Sequence, residues 1–257
     1  MTEETTETLY ALGEDWRIVG ISGFTVRPPR ARKEKPRVSA FTSAKIDRIL
    51  GLQPDLVLGF CDLQADIAAE LVRHGVAVHV FNQRSVPEIL TMIRMLGGML
   101  GVQQKTADYV AELERGIENV RADTRHASER PRVYFEEWDE PNISAIRWVS
   151  ELIGIAGGAD CFPELALEPL GKDRIVRNPA EIARRQPDII IGSWCGKKFR
   201  PHLVAARPGW QDIPAVVDGE IHEIKSALIL QPGPAALTDG LAELRRIIGA
   251  WCARRSP

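Results

Sequence analysis

The chain has no CxxC pair: its four cysteines, Cys61, Cys161, Cys195 and Cys252, are widely spaced. That spacing argues against a disulfide framework and a zinc ribbon, and leans towards a reducing compartment. A Walker loop, a GxGxxG fingerprint, a nucleophile elbow and an HExxH helix are also missing, so the stock nucleotide-binding and hydrolytic motifs do not apply. Five histidines, His74, His79, His126, His202 and His222, show no ligand spacing, which disfavours a zinc or manganese site. No apolar run approaches the roughly 20 residues of a membrane-spanning helix. Neither sign of charge is in large excess, with 33 basic against 35 acidic residues. The chain therefore lacks the field that attracts nucleic acid or an anionic membrane. The first residues, MTEETTETLYALGEDW, lack the basic start and apolar core of a secretory signal. The expectation is either that the chain stays in the cytoplasm or that a leader precedes these residues.

What is present is ordinary in bulk: 44% apolar and 26% charged residues over 257 positions suit one large or two modest soluble domains. The organising stretch runs from Val102 to His126. Its apolar stripe, Ala107, Val110, Leu113, Ile117 and Val120, steps by threes and fours and predicts a helix. About 25 residues at 1.5 Å each span roughly 37 Å, enough to bridge two lobes.

On either side the chain repeats itself. QPDLVLGFC at 53–61 and QPDIIIGSWC at 186–195 each follow a short amphipathic stretch. An uninterrupted aliphatic run after a turn predicts a strand buried in a parallel sheet covered by helices. Ligands of such sheets bind beyond the carboxyl ends of the strands, which is where Phe60, Cys61, Trp194 and Cys195 fall. The expected fold is α/β, with two Rossmann-like lobes, a linking helix and a ligand cleft between the lobes. The expected boundaries are 1–100 for the first lobe, 101–128 for the helix and 129–257 for the second lobe.

In order along the chain, ETLYALG reads as a helix closed at Gly13, DWRIVGIS as a strand and GFTVRPPRARKEKP as a loop. RVSAFTS is a short extended piece that presents Phe41, and VAVHVF is a strand with His79 packed inside it. SVPEILTMIRMLGGML opens as a capped helix at Ser85. PRVYFEEWDEP is a strand ending in an acidic, aromatic corner, with Trp138 and Asp139 just past it. ISAIRWVSELIGIAGG reads as one helix, DRIV as a short strand, and IPAV with EIHEIK as paired extended segments. A last helix runs from about Ala235 to Arg254.

Two clusters compete for function. The acids Glu136, Glu137, Asp139 and Glu140 suit a general acid and base only at a fixed separation that the sequence does not specify, so a hydrogen-bonding or solvated corner is the plainer reading. The aromatics Phe41, Phe60, Trp138 and Trp194, with Phe199 nearby, suit a large flat ligand, because planar side chains bury area at little rotamer cost. Cys61, Asp139 and Cys195 are the candidate polar contacts. No residue is assigned to catalysis or to metal binding.

These pieces in this order (ETLYALG, RPP, QPDLVLGF, VAVHVFN with PEIL, the long helix, EEWDEPNISAIRWVSELIGIAGG, QPDIIIGSWCG, then IPAV, GEIHEI and ILQPGP) resemble the class III substrate-binding proteins of ABC importers, and most closely their cobalamin-binding branch. The resemblance spans nearly the whole chain. It implies a non-catalytic, monomeric binder with no intrinsic cofactor and a corrinoid, cobalamin or cobinamide, as ligand. Phe60 and Trp194 would pack on the corrin, and Asp66 would dock on an ABC permease. The sequence departs from the family in two places. The second docking region reads Lys197, Lys198 and Arg200 rather than an acid, and the strand with which members usually begin is missing. The same fold holding haem or a ferric siderophore is the alternative, with Arg147 and Arg200 as the available guanidinium groups. A metal-cluster oxidoreductase-like protein is the reading from another class.

Overall fold

The computed structural model describes residues 1–125 and 129–255. His126 and the end of the expected linking segment at 128 lie outside the described residues. The chain divides into two compact units. One is made of Met1–Gln83, Pro87–Glu112 and Pro232–Pro234, and the other of Arg84–Val86, Leu113–Gln231 and Ala235–Pro257.

The first unit contains α1 (Glu3–Ala11), β1 (Ile21–Ser22), α2 (Ala31–Glu34), β2 (Arg37–Ser39), α3 (Ile46–Leu50), β3 (Leu56–Gly59), α4 (Ala65–Arg73), β4 (Ala77–Val80) and most of α5 (Val86–Leu100). The helix expected at Val102–His126 is α6 (Gln103–Thr124), and the division between the units falls within it, after Glu112. β1 pairs parallel with β2, and β3 pairs parallel with β4. Leu9, Tyr10, Ile18, Ile21 and Leu96 form one core cluster, and Val38, Ile49, Val57, Ile67 and Leu71 a second. DWRIVGIS is a single helical turn and a two-residue strand rather than a full strand. Val19 in it is 45% exposed, so it lacks the burial that would hold a longer ladder together. The α6 stripe holds at Val110, Leu113 and Ile117, but Ala107 is exposed and Thr106 is buried in its place. Packing explains the shift: a Cβ on Gly97 would lie 1.9 Å from Thr106 Oγ1, so α5 and α6 approach where the glycine leaves room.

The second unit contains β5 (Arg132–Asp139), β6 (Asn142–Ser144), α7 (Arg147–Ile155), β7 (Ala159–Asp160), α8 (Ala180–Arg184), β8 (Ile189–Gly192), α9 (Pro201–Ala205), α10 (Pro214–Val217), β9 (Ile221–Glu223), α11 (Ser226–Ile229) and α12 (Leu241–Arg255). Its five-stranded sheet runs β6-β5-β8-β9, with β7 also paired to β5. Only the β5–β6 hairpin is antiparallel. All four β8 residues are buried, as an uninterrupted aliphatic run requires. Three expectations change here. Ile143 and Ser144 belong to β6 rather than to the following helix, because they pair back onto Trp138 and Glu136. DRIV begins as a helical turn, with Ile175 bridging Ile143. IPAV forms α10 while EIHEIK supplies β9, whose partner is β8.

The repeat persists in backbone conformation. Gln53 and Gln186, the residues that open the two QPD turns, have φ of 48° and 47°. Both occupy the left-handed region that side chains normally avoid.

Candidate functional site

β5 and β8 run parallel with Glu136 opposite Gly192, and Gly192 faces Glu223 of β9. Their carboxyl ends therefore lie together, at the edge where open α/β sheets bind ligands. Trp138, Asp139, Trp194 and Cys195 all fall at this edge.

Beneath it lies a buried polar floor. Glu136 is fully buried. It accepts hydrogen bonds from Tyr134 Oη at 3.0 Å, Asn142 Nδ2 at 2.9 Å, Trp194 Nε1 at 3.2 Å, and Arg207 Nη1 and Nη2 at 2.6 and 2.9 Å. A carboxylate survives burial only when satisfied in this way. Burial, reinforced by the neighbouring Glu136, pushes the Tyr134 hydroxyl well above its usual pKa, so it stays a donor. Burial works against the Arg207 charge, but the bonds to Glu136 outweigh it and raise the guanidinium pKa.

Trp194 sits on this floor, 7% exposed, edge-on to Phe199 with ring centroids 4.8 Å apart. Gly192 makes the arrangement feasible, because a Cβ there would lie 1.9 Å from Phe199 Cε2. Gly192→Ala is expected to destabilise the second unit by about 1–3 kcal/mol through overpacking. A lower urea midpoint and a changed near-ultraviolet circular dichroism spectrum would register it, and an unchanged midpoint would contradict it.

Above the floor, Trp138 is half-buried and donates from Nε1 to the Glu140 carbonyl at 2.9 Å. Lys197 Nζ donates to Asp139 Oδ2 at 2.5 Å and lies 5.1 Å from the Trp194 ring centroid and 5.7 Å from that of Trp138. The other Asp139 oxygen, Oδ1, is enclosed and accepts no hydrogen bond. Cys195 is exposed beside them. The acidic corner is thus a hydrogen-bonding one: Glu137 pairs with the buried Arg174 at 2.6 Å, and Asp139 pairs with Lys197. Arg147 pairs with Glu151 at 3.0 Å.

In the first unit, Phe60 follows β3 and its ring centroid lies 6.3 Å from that of Phe41. Gln64 joins them. Its Oε1 accepts the Phe60 N–H at 2.7 Å and its Nε2 donates to the Phe41 carbonyl at 3.0 Å. Both rings are half-buried, Cys61 is buried, and Asp66 is exposed in the first turn of α4. A cavity of about 110 Å³ lined by Leu9, Ile18, Val38, Leu56 and Leu58 also lies in this unit. It opens in part to solvent and is far too small for a macrocycle.

Sequence reasoning missed Gln64, Tyr134, Asn142 and Arg207. Glu136 it noted only as one of four acids, and the buried length of PRVYFE was the available hint that this acid points inward. Among the described residues, no three His, Cys, Asp or Glu side chains converge on a metal position, and no helix is long and apolar enough to cross a membrane.

The chain matches the family described as "Periplasmic binding protein" over residues 1–228. A vitamin B12-binding protein of Vibrio cholerae serotype O1 is 22% identical over 252 residues, covering 92% of this chain and 83% of that protein. Among solved structures, the periplasmic vitamin B12-binding protein of Vibrio cholerae aligns with a TM-score of 0.79 at 19% identity, covering 100% of this chain and 96% of that one. The periplasmic haem-binding protein of Roseiflexus sp. RS-1 aligns equally well, with a TM-score of 0.79 at 23% identity over 96% and 97% of the two chains. At these identities the structural likeness establishes the α/β fold of class III binding proteins and leaves the ligand open. Members of this family bind ligands without catalysing reactions and use no catalytic cofactor; the chain belongs to the periplasmic binding protein family.

Proposed function

We propose that this chain binds a corrinoid, cobalamin or cobinamide, and either delivers it to an ABC permease from the periplasm or holds it as a soluble carrier. The observation that carries the reading is the aromatic ledge at the carboxyl ends of β5 and β8, where Trp138 and Trp194 stand over a rigid hydrogen-bonded floor. Flat apolar surfaces with a few fixed polar groups suit a planar macrocycle. Phe41 and Phe60 are a second pair of candidate contacts, Cys61 and Cys195 candidate wall residues, and Asp66 the candidate docking residue for the permease. The name shared by the vitamin B12-binding relatives supports the same reading.

Haem is the second reading, supported by the haem-binding structures of the same fold. Haem iron takes an axial protein ligand such as Tyr, His, Cys or Met. Tyr134, the tyrosine beneath the ledge, has its hydroxyl committed to Glu136, so a haem iron at this ledge would have to take the exposed Cys195, whereas a corrinoid brings axial groups of its own.

Calorimetric titration with cyanocobalamin and, separately, haem tests the choice. One cyanocobalamin per chain is expected, and Trp138→Ala, which removes the half-buried indole of the ledge, is expected to weaken binding by about 2 kcal/mol, roughly 30-fold, as for an aromatic anchor. No heat with cyanocobalamin in a folded protein, or tight binding of haem alone, would overturn the reading.

A further inference from the structure

Lys197 occupies the surface on which a flat ligand would stack. Its ammonium is held by the Asp139 carboxylate at 2.5 Å and by two indole faces. Its side chain is 46% exposed, so only the head group is fixed and water gives it a way out. Exposed ion pairs and exposed cation–π contacts are individually weak, so this occupant is displaceable.

Displacement has a chemical consequence for Asp139. Its Oδ2 loses its donor, and its enclosed Oδ1 has none to begin with. Arg207, on the floor beneath, has both terminal nitrogens on Glu136. A carboxylate so placed needs new N–H donors from whatever displaces the lysine, and it repels a ligand that presents another carboxylate.

We propose that Lys197 and Asp139 are the specificity-determining pair of this site: the ammonium fills the indole faces of the free protein and gives way to a flat macrocycle rimmed by carboxamides, whose N–H groups replace it on Asp139, in preference to one rimmed by carboxylates. The inference rests on the corrinoid reading and narrows it to the rim chemistry. It also separates corrinoids from porphyrins that carry free acids, since the amide rim supplies what Asp139 lacks.

The test uses the full chain as wild type, Lys197→Met and Asp139→Asn. Each is titrated with cyanocobalamin and with the same corrin after hydrolysis of its rim amides to carboxylates. Lys197→Met keeps the stem and removes the charge at an exposed position, and Asp139→Asn is isosteric, so both are expected to fold. Wild type is expected to prefer the amide rim by tenfold or more. Lys197→Met is expected to bind cyanocobalamin roughly five- to tenfold more tightly, the loss of two weak contacts being removed from the cost of binding. Asp139→Asn is expected to narrow the gap between the two corrins. Weaker binding of cyanocobalamin to Lys197→Met, or equal affinity of wild type for the two rims, overturns the pair's role while leaving corrinoid binding in place. Failure of folded wild type to bind either corrin overturns the corrinoid reading itself, and with it this inference.

Discussion

Replacing Arg207 by methionine is expected to destabilise the second unit by about 3–5 kcal/mol, the usual cost of stripping a counter-charge from a buried ion. Glu136 is fully buried, and Arg207 supplies two of its hydrogen bonds and its only directly bonded cation among the described residues. Tyr134, Asn142 and Trp194 would still donate, but three neutral dipoles do not replace a guanidinium in a low-dielectric interior. Arg207→Lys keeps the charge and loses the two-pronged geometry, so an intermediate loss is expected. Urea denaturation followed by tryptophan fluorescence reports on this unit, because five of the six tryptophans, all except Trp16, belong to it. A change below about 1 kcal/mol for the methionine variant would mean that the floor is held by its neutral donors alone, contrary to the magnitude expected for a buried pair. Loosening the floor should also weaken ligand binding, since Trp194 Nε1 is anchored on the same carboxylate.

The first unit has its own buried acid, with the opposite chemistry. Glu4 is 2% exposed in α1 and stands against Gly233, where a Cβ would fall 2.4 Å from its own. Burial, and then the charge of Glu3, push its carboxyl from the ordinary 4.5 to about 7. The folded chain therefore holds this proton more tightly than the unfolded chain does. The associated stability is complete below about pH 4.5 and is lost as the pH rises through 7. A rise from 4.5 to about 7 corresponds to a penalty of about 3 kcal/mol on the alkaline side. Glu4→Gln removes that penalty. The variant is expected to be more stable than wild type by up to about 3 kcal/mol at pH 8, with the advantage shrinking steadily towards pH 5. Burial lowers the pKa of the Met1 amine, which acts in the opposite sense, so the difference between variant and wild type at each pH isolates Glu4. Thermal unfolding from pH 5 to 8 provides the measurement, and an advantage that stays constant across that range would contradict the titration.

The two acids illustrate how much was legible beforehand. TEETTETLYALG reads as a surface-like polar helix start, yet Thr5, Thr6, Thr8 and Glu4 are all buried. Polar composition conceals burial when threonine hydroxyls can bond to the preceding turn, as Thr6 and Thr8 do to the Thr2 and Glu4 carbonyls. Glu136 lies mid-strand between buried Phe135 and half-buried Glu137. Alternation along β5 does not reveal it, because a strand covered on both faces has no polar side from which to read direction.

By itself the sequence determined the repeated strands and the long helix. Aliphatic runs after QPD turns became β3 and β8, the stripe in threes and fours became α6, and Gly13 ended α1 with a φ of +70°. These follow from local periodicity and backbone sterics, which act over a few residues. Only the tertiary structure decided which side chains meet. Glu136 reaches Trp194 across 58 positions and Arg207 across 71, and Lys197 reaches Asp139 across 58. Each meeting depends on the parallel register that sets Glu136 opposite Gly192. A shift of β5 by one residue would turn Glu136 and its strand neighbours to the other face.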